Sequence, residues 1–276
     1  MNIAWFTDIH LDCVDNLESS LKRIRDESAF SEIVVITGDI SVGNSVARHI
    51  NLLENYLDKP IYFVMGNHDY YFSNILETRK NVVNLCRRLT YAKYLGAVPY
   101  VRIDNKTAII GSDGWYDGIN GNANDSELIM NDWLHISDFS PAIKTTMVGK
   151  SIDKNIILQI SRAICNASVN HIFKGIKSAA DQFEHLIIAT HFPPFAETYT
   201  DNKFKNIDRE FVIPWYSSRT MGEMLLSAAK TYPDVQFTVL SGHTHGQFSG
   251  KILGNLHAKV GKSQYGAPQI SGHIDI

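Results

Sequence analysis

The chain has 276 residues, a formal net charge of −3 and 44% hydrophobic residues. That length can bury a sizeable core, and the mild negative charge argues against non-specific binding to nucleic acid or to an acidic membrane. Three cysteines, Cys13, Cys86 and Cys165, have no paired spacing, which argues against a disulfide framework and for a reducing compartment.

The N-terminal MNIAWFTDIHLD has no basic leader with a long apolar region and a cleavage site, and no apolar run approaches bilayer length. The expectation is a cytoplasmic protein without a membrane partner. IAWF at 3–6 then opens a series of short apolar runs, continued by IVVI at 33–36, IYFV at 61–64, AII at 108–110, LIIA at 186–189 and FTVL at 237–240. Bounded, β-branched runs of this kind predict strands buried on both faces. Between them, Leu17, Leu21 and Ile24 recur at helical spacing, as do Ile50, Leu53 and Leu57, and then Ile152, Ile156, Ile160 and Ile164. Strands alternating with helices imply an α/β protein with a largely parallel sheet.

Two segments break the pattern. DGWYDGINGNANDS at 113–126 and FPPFAETYTDNKFKNIDREFVIPWY at 192–216 predict long loops, the kind that serve as lids or cover for a site. Trp115, Tyr116, Trp215 and Tyr216 in these loops can stack a ring or simply cover the core. Lys203, Lys205 and Arg209 fit a solvated loop face.

Polar residues follow five of the six runs. Asp8 and His10 follow the first, Gly38 and Asp39 the second, and Gly66, Asn67, His68 and Asp69 the third; His191 and then Gly242, His243 and His245 follow the last two. Ligands of open α/β sheets bind beyond the carboxyl ends of the strands, so these side chains are candidates for one common rim. Because they span residues 8 to 245, a single domain over 1–276 is expected, with loop insertions near 113–150 and 192–216. The three glycines stand where a strand must turn beside a ligand. In an extended segment residues i and i+2 face one side, so His243 and His245 are expected to point together into the site.

The order Asp-x-His, Gly-Asp, Gly-Asn-His-Asp, His, Gly-His-x-His resembles the calcineurin-like metallophosphoesterase superfamily, and is also similar to that of class III cyclic-nucleotide phosphodiesterases. The resemblance implies a two-layer β-sandwich flanked by helices, α-β-β-α, with its site at the C-terminal strand ends. It implies two metal ions, divalent or mixed-valence, with Mn, Fe or Zn suited to a nitrogen and oxygen ligand set. Asp8, His10, Asp39 and His245 would hold the first, and Asp39, Asn67, His191 and His243 the second, with Asp39 bridging. A metal-bound water would attack phosphorus in line, His68 would assist the leaving oxygen, and Asp69 would orient His68.

The expected activity is hydrolysis of a phosphate ester, monoester or diester, of a small molecule or nucleotide. A nuclease is the nearest alternative, although the overall charge does not indicate nucleic acid; a non-catalytic scaffold is the alternative of another class. No protein partner is implied. Val42, Gly43 and Asn44 stand where Ser/Thr phosphatases of this superfamily carry Asp-Arg-Gly, Met65 stands where they carry Arg, and Tyr70, Tyr71 and Phe72 follow Asp69 where cyclic-nucleotide enzymes often place Arg. The missing cations speak against protein phosphatase activity of that kind, while the cyclic-nucleotide reading stays open without its usual arginine.

Overall fold

The computed structural model describes residues 1–146, 149–200 and 206–276. Its strands are β1 (Asn2–Phe6), β2 (Ile33–Thr37), β3 (Ile61–Val64), β4 (Ala92–Tyr94), β5 (Val101–Arg102), β6 (Thr107–Gly111), β7 (Ile143–Thr146), β8 (Gly149–Ile152), β9 (His185–Ala189), β10 (Gln236–Ser241), β11 (Phe248–Leu253), β12 (Leu256–Val260) and β13 (Gly272–Asp275). Helices α1 (Leu17–Glu27), α2 (Ser45–Leu57), α3 (Ile75–Cys86), α4 (Asn131–His135), α5 (Lys154–Ala179), α6 (Arg209–Val212) and α7 (Arg219–Thr231) connect them. All six predicted runs are strands. Lys203 and Lys205 lie outside the described residues.

The strands form two facing sheets, ordered β13-β1-β2-β3-β4 and β11-β12-β10-β9-β6-β5, with β7 and β8 as a separate hairpin. In each sheet the central strands are parallel and an antiparallel strand closes an edge: β13 against β1, β5 against β6, and β11 against β12. Strand periodicity explains the layering. Ile3, Trp5, Val35 and Val64 of one sheet turn inward against Ile109, Ile187 and Leu240 of the other. Their neighbours Ala4, Phe6, Val34 and Phe63 turn outward onto Leu21, Ile24, Ile50 and Leu53 of α1 and α2. On the far side Ile110, Ile188, Phe237 and Val239 meet Ile172, Ile176 and Leu225 of α5 and α7. Apolar side chains on both faces of each strand thus require helix, sheet, sheet, helix.

The helix expectations hold with one correction. Ile152 ends β8 and Asp153 caps α5 by accepting from Asn155 and Ile156 N–H. The face of α5 that is fully buried runs through Ile157, Ser161, Cys165, Ser168, Ile172 and Ile176, while Ile156, Ile160 and Ile164 flank it, half-buried. Small residues on the inner stripe let the helix lie close to the sheet, and the isoleucines fill its margin.

Candidate metal centre

The candidate side chains all leave carboxyl ends of parallel strands: β1, β2 and β3 in one sheet, β9 and β10 in the other. Backbone bonds lock the turns to one another, with Asp8 N–H donating to Gly38 O at 3.0 Å, His10 N–H to Asp39 O at 3.0 Å and Gly242 N–H to His191 O at 2.9 Å. Asp8, His10, Asp39, His243 and His245 have φ of 48°, 39°, 51°, 67° and 59°. Left-handed backbone at a residue with a side chain costs about 1–3 kcal/mol and persists where the surroundings over-determine it. Here it turns each side chain inward. This corrects the expectation that residues 243–245 continue an extended strand: β10 ends at Ser241, and two left-handed residues, not strand alternation, aim both imidazoles at the site.

Glycine is required between them. A methyl group on Gly242 would overlap Thr7 Oγ1 and Asp8 Oδ2, and one on Gly66 would overlap Asp39 Oδ1. The backbone can pass so close to two carboxylates only without a side chain.

Asp39 sits at the centre. Its Oδ2 is 3.7 Å from His10 Nε2 and 4.0 Å from His68 Nε2, and its Oδ1 is 3.4 Å from His191 Nε2. On one side His245 Nε2 is 3.4 Å from Asp8 Oδ1, and Asp8, His10 and His245 offer donor atoms within 4.8 Å of one another. On the other, Asn67 Oδ1 is 3.0 Å from His191 Nε2 and 3.1 Å from His243 Nδ1. The structure therefore brings all seven predicted ligand residues together in two adjoining groups that share Asp39.

His191 Nδ1 donates to Thr37 O at 2.8 Å, which leaves Nε2 as the nitrogen that faces Asn67 Oδ1 and Asp39. Asn67 Nδ2 donates to Asp132 Oδ1 at 2.7 Å, which turns Asn67 Oδ1 toward the imidazoles. Both ring nitrogens of the fully buried His10 lack a hydrogen-bond partner. Buried acceptors of that kind are costly unless a cation or proton sits among them.

The electrostatics agree. Burial raises the carboxyls of Asp8 and Asp39, yet the surrounding histidines outweigh it and leave both lowered, Asp39 well below its usual range. Burial lowers His191, but the Asp39 carboxylate overrides it and lifts the imidazole to about 10. Burial wins at His10, pushed down to about 4, and at His243. Without a cation the His191 proton carries the positive charge that the two carboxylates favour; a metal ion takes its place, and the buried nitrogen and oxygen donors fit metal ions.

His68 is half-buried beyond this set. Its ring stacks on Tyr71 at 4.3 Å, and its Nε2 is 3.4 Å from Tyr265 Oη. His68, His10 and Asp39 also form a group with donors within 4.8 Å. Asp69 is not placed as expected. Its two oxygens accept from Ser41 N–H at 2.9 Å and Gly66 N–H at 2.8 Å, so it staples the turn after β2 to the turn after β3 instead of orienting the His68 ring. Burial and the nearby Asp39 raise its carboxyl well above the usual range.

Sequence reasoning missed Asp132, Tyr71 and Tyr265. Tyr71 donates to Asp132 Oδ1 at 2.8 Å, so the two hold the Asn67 amide from behind. These three side chains, with Leu128, Met130, Tyr216 and the candidate ligands Asp39, Asn67, His243 and His245, line a cleft of about 250 Å³. Of the four loop aromatics, Trp115, Tyr116 and Trp215 are core, and Tyr216 reaches the cleft.

A model of the calcineurin-like phosphoesterase family matches residues 1–247. The chain is similar to the solved structure of a phosphopantetheinyl hydrolase from Mycobacterium tuberculosis, with a TM-score of 0.63 and 15% identity over 96% of this chain and 90% of that one. It is also similar to a dimetal phosphatase from Danio rerio, with a TM-score of 0.55 and 13% identity over 95% and 87%. At these identities the structural likeness speaks for the fold. No curated protein matches the sequence.

Proposed function

The chain belongs to the calcineurin-like phosphoesterase family and is a metal-dependent phosphoester hydrolase; from that premise we propose that its chemistry is organised by the Asp39 carboxylate between two cations. Asp8, His10 and His245 would hold one ion, and Asn67, His191 and His243 the other. The observation that carries this reading is the division of Asp39 itself, with Oδ2 facing His10 and Oδ1 facing His191. When bound, the cations supply Lewis acidity and lower the pKa of water at the site.

The protein's own residues do the rest. The strained turns hold the donors rigidly, so little reorganisation is needed as charge builds on the phosphoryl oxygens. Asp132 and Tyr71 keep the Asn67 oxygen turned inward. His68, whose Nε2 points toward Asp39 from the cleft side, gives its proton to the departing alcohol.

The substrate is a phosphate ester of a small molecule or nucleotide. Among the described residues no Lys or Arg lines the cleft, which favours such a substrate over a polynucleotide that needs a basic track. Metal-stripped protein should be idle on 4-nitrophenyl phosphate and bis(4-nitrophenyl) phosphate, and addition of Mn, Fe or Zn should restore turnover of at least one. Turnover that ignores chelation, or none with any of the metals, would contradict the proposal.

The Asp132–Asn67 pair gives a sharper check on the ligand geometry. Asn67→Asp sets two carboxylates against each other in a buried site and should weaken metal binding. Adding Asp132→Asn restores one amide facing one carboxylate, so the double variant should bind more metal by calorimetric titration than Asn67→Asp alone. No recovery would mean that Asp132 does not position residue 67.

A further inference from the structure

The loop between β12 and β13 lies beyond the family match, which ends at residue 247. It is nevertheless tied to the metal-facing turns. Ser263 N–H donates to His245 O at 3.4 Å and Ser263 Oγ to Asp8 O at 2.6 Å. At its ends Gly261 N–H donates to Ser241 O at 2.9 Å and Ser271 N–H to Trp5 O at 2.8 Å. A loop fixed at four points places its side chains reproducibly, which distinguishes it from a surface excursion.

What it places is Tyr265. The ring lies 4.3 Å from that of His10 and 4.8 Å from that of His245, and the hydroxyl is 3.4 Å from His68 Nε2 at the mouth of the cleft. His68 Nε2 is in turn 4.0 Å from Asp39 Oδ2. An ester oxygen leaving from a phosphoryl group held at Asp39 therefore comes within reach of both groups. That oxygen needs donors. The cleft has no Lys or Arg among its described lining residues, and the Asn67 amide already donates to Asp132.

We propose that Tyr265 is a catalytic residue that donates its phenolic hydrogen bond to the same ester oxygen His68 serves. This rests on the hydrolase reading above. Water oxygen bonds to phosphorus and that water's proton passes to solvent, the P–O bond to the alcohol breaks, and the departing oxygen takes its proton from His68, which solvent reprotonates; Tyr265 stabilises the charge on that oxygen without losing its own proton. The contribution grows with the charge the oxygen must carry, so it is largest for poor leaving groups.

The test compares Tyr265→Phe with wild type, both metal-loaded, on phenyl phosphate and on 4-nitrophenyl phosphate. Phe keeps the ring over His10 and His245 and removes only the hydroxyl, so bound metal per chain should be unchanged. A charge-assisted hydrogen bond lost on the poor leaving group lowers kcat about ten- to a hundredfold on phenyl phosphate, with a clearly smaller fall on 4-nitrophenyl phosphate. Adding Tyr265→Ala, which also removes the ring, should raise KM further while keeping that leaving-group dependence. An equal fall on both esters, or no fall, would overturn the proposal, and so would loss of metal from Tyr265→Phe, which would make the hydroxyl part of the ion's shell. Wild-type protein idle on both monoesters and on bis(4-nitrophenyl) phosphate with every metal would overturn the hydrolase reading and this inference together, an outcome recognisable because no variant is needed to see it; turnover of the diester alone moves the same comparison to diphenyl and bis(4-nitrophenyl) phosphate.

Discussion

Asp39→Asn should strip the protein of tightly held metal and lower metal-dependent turnover by more than about a thousandfold, because without the ions the pKa of the attacking water returns from about 7 toward 15.7. Asparagine is the informative replacement. It tolerates the left-handed backbone that Asp39 adopts at φ 51°, so the turn after β2 should survive. What disappears is one negative charge facing His10 at 3.7 Å on one side and His191 at 3.4 Å on the other. The metal-free variant should melt below metal-free wild type, since the histidines around Asp39 favour its carboxylate and lose that partner. The difference shows on adding Mn or Zn: wild type should melt at higher temperature, by the linkage between ligand binding and folding, and the variant should not. A variant that still gains stability from metal and turns over normally would remove Asp39 from the centre of the site.

His68→Ala should behave in the opposite way, keeping its metal and losing about a hundred- to ten-thousandfold in turnover, the range expected for a missing general acid. The loss should be steeper for phenyl than for 4-nitrophenyl esters. His68 is the residue whose role most needs this separation, because its distance to His10 and Asp39 would also permit ligation. Its ring stacks on Tyr71 at the cleft wall, with Nε2 4.0 Å from Asp39 Oδ2 on the side open to substrate. Elemental analysis decides the matter: metal lost together with activity would make His68 a ligand.

Much of this site was legible because its residues follow apolar runs. Six such runs are strands, and the residues behind five of them converge, since parallel strands deliver their carboxyl ends to one rim. Two strands of the second sheet fall outside those runs: the antiparallel edge strand β11, FSGKIL, is half-exposed, and β12, LHAKV, alternates apolar and polar residues and so has no uninterrupted apolar run. The turn geometry was hidden too. Left-handed φ at five residues with side chains is a tertiary outcome, and local pattern favours extending the strand through His243.

Asp69 misled for a related reason. Adjacency to His68 suggested a pair, whereas the short helical turn at 68–70 points consecutive side chains apart and gives Asp69 to backbone N–H groups. Asp132 and Tyr265 reach the site from a loop insertion and from the C-terminal connection, 65 residues after Asn67 and 197 after His68, with no local signature to mark them. Sequence reveals candidate ligands delivered by strand ends. It conceals the residues that hold those side chains in orientation.

The most direct measurement is anomalous diffraction from crystals of the manganese-loaded wild-type protein. Two peaks about 3.5–4 Å apart should flank the Asp39 carboxylate. One should lie against Asp8, His10 and His245, and the other against Asn67, His191 and His243. A single peak, or peaks that leave Asp39 uncoordinated, would contradict the shared-carboxylate centre from which the proposed chemistry follows.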